Sequence, residues 1–280
     1  MVMSRALTWR QVTDRVELSV AVVLVVAPAI LVFAWMLSLA FKSDLENAAY
    51  PPVFIPSRIT FDNFAATLQR GTFFRYLTNS LIVSGLSTLI GLLLGVPAGY
   101  GIARARANRL AAFVLISRIT PGLSYLIPLF ILFRYLDLIG TLVPMILIHI
   151  VITLPIVIWV MMGFFETLPR DLEEAATIDG ATWWQAFRYI ALPLARPGIV
   201  VATILSFIFS WNNFVFGIVL TGRETRTLPV AVYNSMSFEQ ISWGPLAASA
   251  LLVTLPVLIL TIVLQKEIVH GLTTGGLKGG

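Results

Sequence analysis

The residues best suited to bind another molecule lie at 174–193, EAATIDGATWWQAFRYIALP, between two apolar stretches of the chain. Two interpretations fit this segment. It could be an amphipathic pair of helices lying flat on a membrane surface, or it could dock in a groove of a cytoplasmic partner. Ala175 and Ala176 slightly favour the partner, because small side chains let another surface approach closely, whereas an interfacial helix would carry Leu or Phe there.

Local signals in and beside this segment predict two short helices joined by a turn. Pro169 suits a first helical position, because its missing N–H is not needed there. Gly180 suits the left-handed conformation that ends a helix, and Thr182 with Gln185 can form a capping box that begins the next one. The spacing predicts that Trp183, Phe187 and Ile190 share one apolar face of the second helix. Pro193 is predicted to stop that helix.

The composition of the whole chain indicates a protein that crosses a membrane several times. Of 280 residues, 58% are hydrophobic and only 12% are charged, whereas soluble domains have about 25% charged residues. The chain contains no cysteine, and its two histidines, His149 and His270, cannot form a metal site by themselves. The net charge of +5 comes from basic residues scattered between apolar blocks, which is typical of membrane topology and not of nucleic-acid binding.

Six stretches are long and apolar enough to span a bilayer, which needs roughly 20 apolar helical residues. The all-α fold therefore has six predicted transmembrane helices. Lys and Arg are more frequent in the loops on the side of the N-terminus, which predicts both termini and the 174–193 segment on the cytoplasmic side. The predicted spans are about 17–41, 77–102, 110–133, 141–165, 197–221 and 245–265.

The full spacing of the quoted segment resembles the cytoplasmic-loop signature of permease subunits of ATP-binding-cassette (ABC) importers. The signature reads E-A-A, three residues, Gly, nine residues, Ile, one residue, Leu-Pro, and Glu174, Gly180 and Ile190 occupy its fixed positions together with Ala175, Ala176, Leu192 and Pro193. The chain is most similar to the smaller, MalG-like permease subunits of binding-protein-dependent carbohydrate importers. FSWNNF at 209–214 and QKEIVHGLTTGGLKGG at 265–280 support this resemblance, which covers nearly the whole chain.

This resemblance implies a type I ABC importer permease fold in the bacterial inner membrane. It implies a single permease domain over 1–280, with a core at 75–265, a coupling loop at 166–196 and a cytoplasmic tail at 266–280. The implied partners are a second permease subunit, an ATPase dimer and an extracytoplasmic solute-binding protein. The chain has no G-x-x-x-x-G-K-[ST] phosphate loop, so it is not expected to be an enzyme, and ATP and Mg²⁺ are expected on the ATPase.

The resemblance also assigns roles to residues of the coupling loop. Glu174 would make a charge-assisted hydrogen bond to the ATPase, and Gly180 would keep the turn. The alternative for Glu174 is stabilisation of its own helix dipole. The predicted coupling residues are Glu174, Ala175, Ala176, Asp179, Gly180, Ala181, Phe187, Ile190, Leu192 and Pro193.

The substrate implied is a sugar or a sugar derivative, including polyols and anionic sugars. Trp211, Asn212 and Asn213 lie well inside the fifth predicted span, where an indole face and two amides would suit a sugar ring or would bond neighbouring helices. Arg118 lies inside the third predicted span, where a charge is costly. It could accept an anionic sugar, or it could snorkel or pair with the second subunit.

Two other classes of transporter remain open. An ABC importer for peptides, amino acids or phosphate would carry the same coupling loop. A secondary transporter would need carboxylates within the membrane, but Glu17 and Glu267 lie only at the ends of spans, which argues against that class.

Overall fold

The structure, a computed structural model, describes residues 9–69, 71–119, 122–234 and 242–276. These residues form helices and connecting turns, with no strand among them. The helices are α1 (Trp9–Phe41), α2 (Asp44–Asn47), α3 (Asp62–Gln69), α4 (Phe73–Ala105), α5 (Asn108–Ser117), a 3₁₀ turn (Gly122–Tyr125), α6 (Leu126–Tyr135), α7 (Val143–Thr167), α8 (Asp171–Ile178), α9 (Trp183–Ala186), a π turn (Phe187–Ala191), α10 (Leu192–Leu194), α11 (Arg196–Trp211), α12 (Val215–Leu220), α13 (Leu228–Asn234) and α14 (Trp243–Gly276).

Four of the six predicted spans are single helices that are long and apolar enough to cross a membrane. They are the first, second, fourth and sixth, and they correspond to Val16–Phe41, Phe73–Ala105, Val143–Thr167 and Trp243–Gln265. Two bent helix pairs bring the possible number of spans to six. The last helix, α14, continues as far as Gly276, so the predicted tail begins inside a helix.

The third and fifth predicted spans are not single helices in the structure. The third is divided into α5 and α6 by the 3₁₀ turn, in an interval whose sequence, TPG, contains two residues unfavourable in helices. The fifth is divided between α11 and α12 by residues 212–214. There Asn213 Oδ1 accepts a bond from the Phe216 N–H, 3.4 Å away, and such side-chain bonds compete with helix continuation.

The chain divides into two compact units, one of residues 1–69 and 236–251 and the other of residues 70–235 and 252–280. In the first unit, Asn63 on α3 donates to the carbonyls of Ala40 and Lys42, at 2.9 and 2.8 Å. Ala40 packs against Ala247 and Ala248. These contacts fix the end of α1, whose most apolar window has no buried residue.

In the second unit, α4, α7 and α11 pack closely because glycines remove side chains from their contact surfaces. A Cβ atom on Gly95 would lie 2.6 Å from Val157, and one on Gly99 would lie 2.9 Å from the Met161 Cβ and 3.0 Å from the Ile158 carbonyl oxygen. Gly198 on α11 meets Phe164 in the same way. Small residues are the usual basis of close helix contact in membranes, and Gly91, Gly95 and Gly99 form a G-x-x-x-G-x-x-x-G stripe on α4.

Substituting Gly99 by alanine should destabilise this helix packing. The added methyl group would meet backbone atoms of α7 that cannot move independently, and overpacking of this kind costs about 1–3 kcal/mol. A Cβ atom on Gly101, two residues further along the same helix, would meet nothing within 4 Å. Gly101→Ala is therefore the matched control and should leave stability unchanged or slightly higher. The thermal unfolding midpoint in detergent measures both; equal midpoints for the two variants would contradict the packing account.

Candidate functional site

Residues 171–194 form a hairpin of short helices between α7 and α11. Its first helix, α8, ends as the sequence predicts, with Gly180 at a φ of +91°. The Ala181 N–H donates to the Ala176 carbonyl at 2.9 Å, and the Gly180 N–H donates to the Thr177 carbonyl at 3.1 Å. This pair of bonds is the Schellman arrangement that satisfies the last carbonyls of a helix.

The second helix of the hairpin begins with the predicted capping box. Gln185 N–H donates to the Thr182 hydroxyl at 3.3 Å, and the Thr182 N–H donates to Gln185 Oε1 at 2.7 Å. The turn between the two helices is thereby fixed at both ends by local bonds.

Two local predictions about the hairpin were wrong. Pro169 precedes the first helix, which begins at Asp171 with Arg170 as its N-cap. Pro193 does not stop the second helix, which continues through Leu194 by way of the π turn. Proline removes a helical N–H and crowds the carbonyl one turn earlier; here the Leu192 N–H bonds instead to the Phe187 carbonyl, five residues back.

The side chains on the buried face of the second helix are not all those predicted. Trp183 was predicted to lie with Phe187, but it is 70% exposed whereas Phe187 is buried. The buried residues of this segment are Ala186, Phe187, Ala191 and Ala195.

The first helix of the hairpin is attached to α4 by a buried ion pair. Glu173 is 6% exposed, and its Oε1 atom accepts bonds from Arg104 Nη2 at 2.5 Å and from Arg104 Nε at 3.0 Å. The Tyr100 hydroxyl donates to Oε2 at 2.7 Å. Arg104 Nη1 donates to the Phe165 carbonyl at 2.6 Å, so the ion pair joins α4, the end of α7 and the hairpin.

An aromatic cluster attaches the second helix of the hairpin to the same two transmembrane helices. The Phe187 ring lies 4.8 Å from Tyr100 and 6.3 Å from Phe165, and those two rings are 5.2 Å apart, all between centroids. Aromatic pairs at these distances are worth about 0.5–1.5 kcal/mol each beyond their buried area. Since both halves of the hairpin are attached to α4 and α7, the hairpin and these helix ends form one packed body.

Six large apolar side chains of the hairpin remain exposed, with Ile178 at 87%. Exposed apolar patches commonly mark an interaction surface on a protein. The six residues are Leu172, Ile178, Trp183, Trp184, Tyr189 and Leu194.

The predicted coupling residues divide into exposed positions and positions packed against the chain itself. The exposed ones are Glu174, Ala175, Asp179, Gly180 and Pro193. Ala176, Ala181, Ile190 and Leu192 are half-buried, and Phe187 is buried in the core of its own chain. Sequence reasoning missed Glu173 and Arg104; they are 69 residues apart in the chain, and no local signal links them.

The predicted pathway residues Trp211, Asn212 and Asn213 differ in how far they are exposed. Trp211 is 2% exposed, its Nε1–H donates to the Val253 carbonyl at 3.0 Å, and its ring stacks on Phe207. Asn212 is exposed and Asn213 is half-buried. These two asparagines line an open cleft of about 390 Å³, together with Ile208, Phe209, Phe214 and Val215.

Arg118 lies at the end of α5, between the two helices that make up the third predicted span. Helix α5 ends at Ser117, and the Arg118 N–H donates to the Leu115 carbonyl at 3.1 Å. Its side chain is exposed. Arg118 therefore lies at the bend of the third predicted span.

Replacing Glu173 by glutamine should destabilise the chain, because Arg104 would remain buried without its counter-charge. Breaking a buried pair in this way costs about 3–5 kcal/mol. The matched control is Glu224→Gln, which breaks the Arg75–Glu224 pair, both of whose side chains are exposed. That change should cost about 1 kcal/mol or less. Thermal unfolding in detergent measures both variants, and a loss for Glu173→Gln no larger than for Glu224→Gln would count against a structural role for the buried pair.

Comparisons with known proteins match this chain to a family of membrane transport components. Residues 89–272 match the family model "Binding-protein-dependent transport system inner membrane component". The chain is 38% identical to the trehalose transport system permease protein SugB of Mycobacterium tuberculosis, over 91% of this chain and 95% of that protein. It is 34% identical to the sulfoquinovosyl glycerol transport system permease protein SmoH of Agrobacterium fabrum, over 88% and 87% of the two chains.

The fold is also that of a solved ABC importer. A chain from the crystal structure of a bacterial ABC transporter involved in the import of the acidic polysaccharide alginate superposes with a TM-score of 0.73, at 21% identity, over 95% of this chain and 99% of that one. The predicted permease fold is thereby confirmed. The chain belongs to the family of binding-protein-dependent transport system inner membrane components.

Proposed function

We propose that this chain forms half of the membrane pathway of an ATP-driven, binding-protein-dependent importer for a sugar or sugar derivative. The observation that carries the proposal is the hairpin, which is joined to the transmembrane helices by Glu173 and Phe187 and keeps large apolar side chains exposed. The class of substrate rests on the relatives, which are named as permeases for trehalose and for sulfoquinovosyl glycerol.

The exposed apolar side chains of the hairpin are proposed to dock in a groove on a separate ATPase subunit in the cytoplasm. Docked helices of this kind are held by apolar anchors at helical spacing. Glu174 is exposed beside them and would accept a charge-assisted hydrogen bond from the ATPase. ATP and Mg²⁺ would be bound by the ATPase, since this chain carries no phosphate loop.

Movement of the ATPase would reach the membrane through the contacts of the hairpin. The hairpin is packed against α4 and α7, and its second helix turns into α11 through a bend of 74°. A shift of the docked hairpin would therefore shift all three helices together. The ATPase states would favour different arrangements of the pathway, which is a population shift produced by differential binding. A second permease subunit would complete the pathway, with both termini of this chain in the cytoplasm.

The proposal is tested by isolating the chain with its partners and measuring transport. Affinity purification of the tagged chain from its native membrane should recover an ATPase and a second permease subunit. A binding screen on the associated solute-binding protein should select a sugar, and proteoliposomes should import that sugar only when ATP is present on the side of the ATPase. Selection of a peptide, amino acid or phosphate would replace the sugar assignment, and transport without an ATPase would contradict the whole proposal.

Two substitutions in the hairpin should abolish coupling while leaving the chain inserted in the membrane. Glu174→Lys replaces the accepting carboxylate by a cation, and the lost bond of about 1.5–3 kcal/mol should lower uptake by about tenfold or more. Gly180→Pro cannot reproduce a φ of +91°, since proline is held near −65°. Glu17→Lys makes the same charge change at an exposed residue of α1 and is the control. Wild-type uptake by both hairpin variants, at equal membrane abundance, would contradict the docking role.

Arg118 and the two asparagines of the cleft are proposed to meet the substrate on its way through. The exposed guanidinium of Arg118 would favour an anionic sugar, and the likeness in fold to an importer of an acidic polysaccharide makes such a substrate reasonable. If the selected sugar is anionic, Arg118→Met should lower its uptake several-fold, as expected for one lost charge contact of about 1 kcal/mol. Arg109→Met, at the other end of the same helix, should have no effect. Uptake of an anionic sugar that is unchanged by Arg118→Met would remove Arg118 from the pathway.

A further inference from the structure

A group of buried polar side chains lies where α4, α7 and α11 meet, and the coupling hairpin does not account for it. His149 on α7 is 1% exposed, and its Nδ1 atom lies 2.7 Å from the Ser210 hydroxyl on α11. Ser210 also bonds to the Ser87 hydroxyl on α4, at 3.0 Å. Buried polar groups are costly unless they are hydrogen-bonded, so these three residues form a specific tie between three helices.

The tie lies next to the break that presents the two cleft asparagines. Ser210 is in the last turn of α11, which ends at Trp211. Beyond it, the Asn213 N–H donates to the Ser210 carbonyl at 3.2 Å. His149 Nε2 has no hydrogen-bond partner in the described part of the chain. The imidazole is therefore held by the bond between Nδ1 and Ser210.

The position of Asn212 and Asn213 therefore depends on side-chain contacts. Residues 212–214 lie between two helices, and helix ends lack the full set of backbone bonds that fixes a helix interior. Asn212 is exposed in the cleft and Asn213 is half-buried behind it. A movement of Ser210 would move both amides.

We propose that His149 is a positioning residue of the substrate pathway, which holds the end of α11 through Ser210 so that Asn212 and Asn213 face the cleft. This inference rests on the proposed function, because it assumes that the cleft asparagines meet the transported sugar. His149 itself is enclosed by its own chain and acts through Ser210.

If His149 only filled a buried polar position, substituting it should have the same effect as substituting its buried neighbour Thr153. Thr153 lies one turn further along α7 and is also 1% exposed. Its hydroxyl donates to the His149 backbone carbonyl at 2.7 Å, a bond within its own helix. Thr153→Val therefore changes a buried polar group at the same place without breaking the tie to α11, and it is the matched control for substitutions of His149.

The absence of cysteine from the natural sequence provides a direct reporter. Asn212→Cys introduces a single thiol in the cleft, and its rate of reaction with a maleimide can be followed in the complete importer. His149→Leu should raise that rate by about fivefold, because the freed end of α11 opens more often. His149→Asn, whose amide can replace Nδ1 towards Ser210, should restore the rate of the parent, and Thr153→Val should leave it unchanged.

Sugar uptake is measured in parallel in chains that retain Asn212. His149→Leu should reduce uptake, His149→Asn should recover most of it, and Thr153→Val should match the wild type. If His149→Leu does not assemble, Ser210→Ala removes the same bond from the other side, and the same increase in labelling is expected.

The outcomes separate this inference from the proposed function. The inference would be overturned if His149→Leu or Ser210→Ala were labelled no faster than Thr153→Val. It would also be overturned if His149→Asn were labelled as fast as His149→Leu. Failure of the wild-type importer to move any sugar would overturn the proposed function instead. In that case an increase in labelling would still support the tie between His149 and α11, but not its role in a sugar pathway.

Discussion

The structure of the second unit depends on one ion pair, Arg104 with Glu173. Both side chains are less than one-tenth exposed, and a buried pair is favourable only when its geometry is good and its remaining polar atoms are bonded. Here Tyr100 and the Phe165 carbonyl supply those further bonds. The pair has few alternative arrangements, so it specifies where the hairpin lies on the transmembrane helices, and the proposed docking to an ATPase would need such a fixed attachment.

Close helix packing makes that attachment mechanically useful. Gly95 and Gly99 on α4 and Gly198 on α11 lie so close to α7 that a Cβ atom would not fit at any of them. Packed interiors have low compressibility and transmit displacement. A force on the hairpin is therefore shared by α4, α7 and α11, the same three helices whose polar side chains meet at His149 and Ser210.

The sequence was sufficient for the turn of the hairpin, although not for its two prolines. The glycine turn at Gly180 and the Thr182–Gln185 box were predictable because each depends on residues within one or two helical turns. Apolar length was sufficient for four spans, but it overlooked the breaks before Gly122 and after Trp211, because hydrophobicity does not distinguish a continuous helix from two shorter ones. The π turn and the pairing of Arg104 with Glu173 depend on tertiary contacts, and a single sequence carries no direct record of those.

The two ends of α4 show how one helix can connect both sides of the pathway. At its C-terminal end, Tyr100 and Arg104 bond to the hairpin. Near its N-terminal end, Asn79 Nδ2 donates to the carbonyls of Glu224 and Arg226 at 2.9 Å each, and Ser80 accepts from the Leu228 N–H at 2.8 Å. With 33 residues, α4 is about 50 Å long, which exceeds the roughly 30 Å of a bilayer core. Since both sets of bonds are held by the same helix, α4 connects the hairpin directly to the loop before α13. In the proposed importer, a displacement of the hairpin would therefore reach that loop through α4 alone.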